Sequence, residues 1–197
     1  MPATLAAPPP EAEAVLTTGM KGVISGGAIP GLPLIAVGDS AGEAFGPVPV
    51  YHLTADEARE GYLPDRTHVA AWRYVIVLEN GDLAGCATIA PGTSDDTLVF
   101  SGYREDGLAA ELLEALTRAD QLAGEAGGGI EAGILECMAL HFEAAWIHSP
   151  SQDIFIPLSR AASAAEGGIP NETSAVEILT FLQRRFAAGS GAPLFSP

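Results

Sequence analysis

The stretch WRYVIVLENGDLAGCATI, residues 72–89, decides the fold of this chain. Its first half, Trp72–Leu78, is rich in aromatic and β-branched residues, a composition typical of a strand. Asn80-Gly81 tolerates the positive φ angles of a type I′ turn, and Leu83–Ile89 predicts the return strand. We therefore expect a β-hairpin with a two-residue loop.

The register of this hairpin sorts its side chains onto two faces of a sheet. Large residues lie opposite small or apolar ones, in the pairs Leu78 with Leu83, Ile76 with Gly85, and Tyr74 with Ala87. The face expected to point to the core carries Trp72, Tyr74, Ile76 and Leu78. The other face is too apolar to be fully solvated and carries Arg73, Val75, Val77, Ala84, Cys86 and Thr88. Such a second face indicates a surface that a copy of the chain or another protein covers.

A second strand region spans about residues 130–147 and returns along Ile154–Leu158. It is long for one strand, so we expect a break near Gly133 or Ala139. Pro157 lacks a backbone N–H, so the returning strand should end there or lie at an edge. Residues of one parity predict a core face, namely Met138, Leu140, Phe142 and Trp146.

Three helices are predicted from capping signals and apolar periodicity. Thr54 and Ser174 each precede a glutamate by three residues, the spacing of a capping box that begins a helix. The first of these helices is short, and the second runs to about residue 188. The third helix runs over about residues 105–123 with one apolar stripe, made of Leu108, Leu112, Leu116 and Ala119.

Hairpins separated by helices favour an α+β domain with a mostly antiparallel sheet. We expect a sheet built from two hairpins, with the helices packed on one face. Short strands are also predicted at Leu34–Val37 and Val48–Leu53. Residues 1–20 are rich in alanine and proline and predict a flexible arm, residues 21–188 a single domain, and residues 189–197 a loose tail.

The charge balance excludes several classes of partner. The 197 residues include 25 acidic and 9 basic ones, for a formal net charge of −16. Such a surface repels nucleic acid and anionic lipid. No apolar run is long enough to span a membrane, and no secretion signal is recognised. Cys86 and Cys137 match no zinc or redox spacing. We therefore expect a cytoplasmic protein with reduced thiols and without metal or cofactor.

A charged fraction of only 17% beside 48% hydrophobic residues has two interpretations. It indicates a surface buried in an oligomer or against a partner, because soluble domains average about 25% charged residues. It also fits a compositional bias toward alanine and glycine.

Three segments carry a resemblance to a group of bacterial proteins of unknown function, most of them actinobacterial. The chain from Val48 to Leu158 is similar to that group in PVPVYHLTADEAREGYLPDRTHVAAWRYVIV, FSGYREDGLAAELLEALTRADQL and ECMALHFEAAWIHSPSQDIFIPL. The resemblance covers a little over half of the chain. It implies a bacterial cytoplasmic origin and no particular chemistry.

The candidate binding residues are Cys137, His141 and Glu143, which share one strand parity. A carboxylate beside an imidazole fixes its tautomer or raises its pKa, as acid–base chemistry requires. The three residues span too far along a strand to ligate one zinc ion without a bulge. The alternative is an ordinary, half-exposed sheet face.

Other chemistry-bearing residues have plainer explanations. His148, Ser149 and Asp153 fall within six residues, too close in sequence for triad geometry, so we expect turn hydrogen bonds. His52 and His68 lie where either can approach His141 in the fold. The glycine-rich stretches lack the pattern of a phosphate-binding loop. No catalytic set is recognised.

Three functions remain open at this point. The first is a non-catalytic interaction or structural protein, oligomeric or bound to a protein partner. The second is a small enzyme or ligand-binding domain with His141 and Glu143 at the sheet. The third is an acidic inhibitor or immunity-type protein that masks a basic surface.

Overall fold

A computed structural model describes residues 2–25, 42–78, 83–93, 97–105, 107–158 and 172–188. Within these ranges the strands are β1 (Thr4–Leu5), β2 (Gly42–His52), β3 (Ala71–Leu78), β4 (Leu83–Pro91), β5 (Leu98–Arg104), β6 (Glu131–Cys137), β7 (Phe142–His148), β8 (Asp153–Pro157) and β9 (Thr173–Ser174). The α-helices are α1 (Ala12–Ser25), α2 (Ala55–Glu60), α3 (Leu108–Ala126) and α4 (Ala175–Ala187).

All the strands belong to one sheet, ordered β5-β4-β3-β2-β6-β7-β8-β9, with β1 beside β6. Two antiparallel meanders meet at the centre, where β2 and β6 run parallel. β1 also pairs with β6 in parallel, so the sheet is mixed but mostly antiparallel. The α+β class is confirmed, and each predicted hairpin is extended by a further strand.

The register of the first hairpin is confirmed over most of its length. Tyr74 lies opposite Ala87 and Ile76 opposite Gly85, as large-to-small packing predicts. Beyond Ile76 the register shifts, and Leu83 faces Val77 rather than Leu78. An extra residue on one strand is a bulge, which a pattern of alternation does not reveal. The predicted Asn80-Gly81 turn lies outside the described residues.

Helices cover both faces of the sheet, which differs from the expected single helical layer. On the front face, defined by Trp72, Tyr74 and Ile76, α1 packs over β3–β5. Helices α2 and α4 pack on the same front face over β6–β8. The back face, which includes Val75 and Cys86, packs against α3. The predicted second apolar face is therefore covered within the chain.

The predicted helix signals are confirmed at both capping boxes. The hydroxyl oxygens of Thr54 and Ser174 accept hydrogen bonds from the backbone N–H groups of Glu57 and Glu177, respectively. The carboxylate of each glutamate in turn accepts a hydrogen bond from the backbone N–H of Thr54 or Ser174. Helix α3 begins three residues later than expected, and its stripe faces the sheet, with Leu108, Leu112 and Ala119 buried.

Residues 2–25, which include most of the segment predicted as a flexible arm, contain strand β1 and helix α1. Helix α1 begins after the proline run and buries Ala12, Leu16 and Met20 against the front face. These residues recur every four positions, which is an apolar helical stripe that the flanking prolines obscured. The predicted strand at Leu34–Val37 and the tail at 189–197 lie outside the described residues.

The second strand region breaks at Met138–Leu140, which forms a single 3-10 turn between β6 and β7. This lies at one of the two predicted break points. Leu140, Phe142 and Trp146 are buried as expected, but Met138 is 64% exposed because the turn carries it away from the sheet.

Candidate functional site

A cavity of about 890 Å³ lies on the back face, beside the first turn of α3. Helix α3 packs on the back face from Cys86 in β4 to Ile147 in β7. The corner that holds the ends of β2 and β6 and the start of β7 borders the cavity instead. Its charged and titratable lining residues are His52, Arg73, Tyr103, Arg104, Glu111, Glu136, Cys137, His141 and Glu143. Apolar walls come from Ala71, Ala90, Leu108 and Leu158.

The register of three neighbouring strands builds one wall of this cavity. His52 on β2 lies opposite Glu136 on β6, and Glu136 lies opposite Glu143 on β7. Residues opposite each other on neighbouring strands share a face. The imidazole and the two carboxylates therefore form a row across the sheet.

Arg73 joins this row from β3. It lies on the back face two residues from Val75, and its side chain is only 4% exposed. Its Nη1 donates to Oε2 of Glu143 at 2.8 Å, and its Nη2 donates to Oε1 of Glu136 at 3.4 Å. A buried guanidinium requires such partners, because an unpaired buried charge is costly.

The pairing extends in both directions to form a chain of five groups. His52 Nε2 lies 2.8 Å from Oε2 of Glu136. At the other end, Arg104 Nη1 donates to Oε1 of Glu143 at 2.7 Å. Each carboxylate thus has one oxygen on Arg73 and the other on an outer, half-exposed group. We refer to His52, Glu136, Arg73, Glu143 and Arg104 as the ion chain.

Tyr103 and Cys137 are poor candidates for a reactive anion in the cavity wall. Burial and the nearby carboxylate of Glu105 raise the pKa of Tyr103 to about 12, so its hydroxyl keeps its proton at neutral pH. Burial also raises the pKa of the Cys137 thiol, despite backbone hydrogen bonds that favour the thiolate. Cys137 packs in the front-face core with Phe142 and Leu140.

The three residues predicted from sequence all line this cavity, but not as one strand face. The turn at Met138–Leu140 breaks the alternation. Cys137 consequently belongs to the front-face core, while Glu143 lies on the back face in the ion chain. His141 ends the turn in a left-handed conformation, with φ 48° and ψ 47°, and is exposed at the cavity. Non-glycine residues seldom adopt this conformation, and it marks functional sites disproportionately.

Sequence reasoning missed Arg73, Arg104 and Glu136. The signal was present for two of them, because Arg73 interrupts the apolar run of β3 and Glu136 interrupts that of β6. A charge on a face that is otherwise apolar points to a buried partner. Which partner it finds depends on the parallel contact between β2 and β6, a non-local pairing that no local pattern reports.

The remaining histidines lie away from the cavity. His68 is exposed beside Asp65. His148 Nδ1 lies 2.7 Å from Asp153 Oδ1, which also accepts a hydrogen bond from the indole N–H of Trp146. Ser149 bonds to the backbone of Gln152, so the turn chemistry expected here is observed.

The described residues hold neither a candidate metal cluster nor a membrane-spanning helix. Within these ranges, no three His, Cys, Asp or Glu side chains are grouped so that they could hold a metal ion. The helices described are too short or too polar to cross a bilayer.

Comparison of the chain with protein-family models, with curated proteins and with solved structures finds no match. The resemblance to an actinobacterial group stays a prediction.

Proposed function

We propose that this protein is a small-molecule-binding domain and that the back-face cavity is its binding site. The observation that carries the proposal is the buried Arg73 guanidinium, held by two carboxylates in the wall of a cavity of about 890 Å³. Ligand sites in proteins are typically about 300–1,000 Å³, mostly apolar, with a few fixed polar groups. The cavity has this composition.

Stability alone does not account for the ion chain. Replacing a buried ion pair by apolar residues is often neutral or stabilising, because desolvation of the charges offsets their attraction. The neighbouring back-face positions, such as Val75 and Ile134, are apolar and fully buried. A row of five charged or polar groups at the one corner beside a cavity therefore supports a binding role.

The two carboxylates of the ion chain are placed for binding rather than for catalysis. A general base or nucleophile needs a reactive atom directed at the substrate. Both oxygens of Glu143 and both of Glu136 lie against cationic or imidazole groups of the ion chain. The only cysteine in the wall, among the described lining residues, is Cys137, whose thiol is buried in the front-face core. The carboxylates hold the arginines in place.

The interaction hypothesis loses one of the features that motivated it, the second apolar face, because α3 covers that face. Self-association, a protein partner and an acidic inhibitor remain predictions.

The experiment is a screen of small carboxylates, phosphates, amines and neutral amides by NMR, with the backbone amides assigned. We expect at least one class to bind with a Kd of about 1 mM or tighter. The shifts should be largest at amides around the cavity, such as Gly102, Glu136 and His141.

A cavity-filling variant and a matched control locate the binding. A Cβ built at Gly102 in the cavity wall, or at Gly124 on α3, meets no atom within 4 Å, so neither backbone excludes a side chain. Gly102→Trp should abolish binding, whereas Gly124→Trp should leave it unchanged. Binding that survives Gly102→Trp, or no saturable shift of the cavity amides by any class, contradicts the proposal.

A further inference from the structure

The charged groups in the cavity wall are committed to one another. Arg73 pairs with Glu136 and Glu143, and each of these carboxylates places its second oxygen against an outer group of the ion chain. Arg104 pairs with Glu143 and makes a further interaction with the protein. Glu111, which also lines the cavity, interacts with the protein as well. A ligand therefore meets a wall whose charges already have partners.

A charged ligand is poorly compensated in such a wall. Transfer of a charge out of water is costly unless an opposite charge receives it. An anion has to compete with Glu143 and Glu136 for Arg73, at contacts of 2.8 and 3.4 Å. A cation has to compete with that guanidinium for the same carboxylates. The net charge of −16 on the chain opposes an anion further. An uncharged ligand avoids all of these costs.

Thr88 supplies an uncharged hydroxyl in the cavity wall. It lies on β4 opposite Arg73 of β3, and residues opposite each other share a face of the sheet. Its side chain is half-buried, and its hydroxyl has no hydrogen-bond partner among the described residues. A hydroxyl donates one hydrogen bond and accepts others. Thr88 can therefore bond to either a donor or an acceptor of a ligand.

Ser101 supplies a second hydroxyl, through an irregularity of the edge strand β5. On β4, Thr88 lies opposite Gly102. The next residue, Ile89, lies opposite Phe100, so Ser101 has no opposite residue on β4. An extra residue of this kind is a β-bulge, which redirects a side chain and occurs often beside active sites. Ser101 is exposed at the cavity, and its hydroxyl makes no hydrogen bond within the described ranges.

His52 supplies an acceptor. Its Nε2 lies 2.8 Å from a carboxylate oxygen of Glu136. In the neutral ring, the carboxylate favours the proton on Nε2 and leaves Nδ1 as an acceptor. Nδ1 has no partner in the part of the chain that the structure describes. Arg73 holds Glu136 in place and thereby positions this imidazole, so the ion chain supports the groups that meet the ligand.

We propose that the cavity binds an uncharged molecule with hydrogen-bonding groups, of the amide or alcohol class, on Thr88, Ser101 and His52. This inference rests on the proposed function, since it assigns a ligand class to that same site. The three groups together offer donors and acceptors without a net charge. Apolar lining residues, among them Ala90 and Leu158, contact the remainder of the ligand.

The test uses pairs of probes that share a phenyl ring and differ in charge. Benzamide is compared with benzoate, which has nearly the same shape, and benzyl alcohol is compared with benzylammonium. NMR titration near neutral pH measures each Kd at cavity amides such as those of Gly102 and Glu136. We expect at least one uncharged probe to bind with a Kd of about 1 mM or tighter, and about tenfold more tightly than its charged counterpart.

Titrations at about 500 mM NaCl separate the effect of the site from that of the overall charge. Salt at this concentration screens exposed charges strongly, so the acidic surface repels benzoate less. The preference for benzamide should persist, because the paired charges in the wall, and not distant ones, disfavour the anion. Benzoate that binds as tightly as benzamide in high salt overturns the inference.

Hydroxyl variants assign the binding to the named groups. Thr88→Val keeps the shape of the side chain and should weaken binding of the tighter uncharged probe about fivefold, whereas Thr88→Ser should restore most of that loss. Ser101→Ala changes only an exposed position and should weaken binding by a similar factor. Thr180→Val is the matched control, because the Thr180 hydroxyl donates to the backbone of Val176 on α4, away from the cavity. This control should leave binding unchanged.

The outcomes separate the two proposals. A charged probe that binds at the cavity as tightly as its uncharged counterpart overturns the uncharged-ligand inference and leaves the binding site standing. Binding that both Thr88→Val and Ser101→Ala leave unchanged does the same, as does cavity binding by charged classes alone in the wider screen. Absence of binding by all four probes, with no other class binding in that screen, overturns both proposals.

Discussion

Arg73 is the central charged residue of the back face. It replaces what would otherwise be an apolar position between Ala71 and Val75, both of which are buried against α3. Its charge is balanced by Glu136 and Glu143, each about one-eighth exposed. Removing the guanidinium therefore leaves two largely buried carboxylates facing each other across β6 and β7.

Arg73→Met should lower the free energy of unfolding by about 3 kcal/mol or more, because the partners of a lost buried ion become uncompensated. Urea denaturation measures the change. Arg59→Met, which breaks an exposed pair on α2, should cost less than about 1 kcal/mol. Similar losses in both variants would show that the ion chain is no more than a surface network.

A companion variant separates stability from function at this position. Replacing Arg73, Glu136 and Glu143 together by methionine removes the stranded charges, so most of the lost stability should return. Ligand binding at the cavity should not return. Recovery of binding in the triple variant contradicts the role assigned to Arg73.

At the scale of single elements, the cap of α4 links stability to pH. The backbone N–H and hydroxyl of Ser174, with the hydroxyl of Thr173, donate to the carboxylate of Glu177. These bonds hold the pKa of Glu177 below its ordinary value of 4.5. A lowered pKa means that the contribution is present above the unfolded-state pKa and is lost as the pH falls through the folded-state value.

Glu177→Gln should therefore destabilise the protein at pH 7, and its difference from wild type should shrink as the pH falls below about 4.5. Ser174→Ala, which removes the other half of the box, should cost about 1 kcal/mol at pH 7. Urea denaturation across the pH range measures both. A difference in the free energy of unfolding between Glu177→Gln and wild type that is the same at all pH values would rule out the ionised cap.

The features that the sequence predicts correctly are local ones. The capping boxes, the large-to-small register around Tyr74 and the break near Ala139 each follow from a few neighbouring residues. Helix α1 was missed because prolines and alanines outweighed its apolar stripe. The site was found only in part: Glu143 and His141 were recognised by residue type, but Arg73 contacts Glu143 from a strand 70 residues away. That contact depends on the order β3-β2-β6-β7, which only the folded sheet defines.

For the molecule as a whole, the dominant electrostatic fact is the net charge of −16 on 197 residues. Self-repulsion of this size opposes the compact state. Among the described residues, the ion pairs around Arg73 are attractions that lie largely out of solvent. Salt screens exposed charges far more than buried pairs. The repulsion and the ion chain should therefore respond differently to ionic strength.

The free energy of unfolding should accordingly rise as NaCl is increased from about 10 mM to about 500 mM, a range that shortens the screening length from about 30 Å to a few ångströms. Urea denaturation at each salt concentration measures the slope. Arg73→Met should be less stable throughout yet show nearly the same slope, because the pair it lacks is screened little. A fall in wild-type stability with salt that turns into a rise in Arg73→Met would mean that ion pairing outweighs surface repulsion, and the buried character of the ion chain would have to be abandoned.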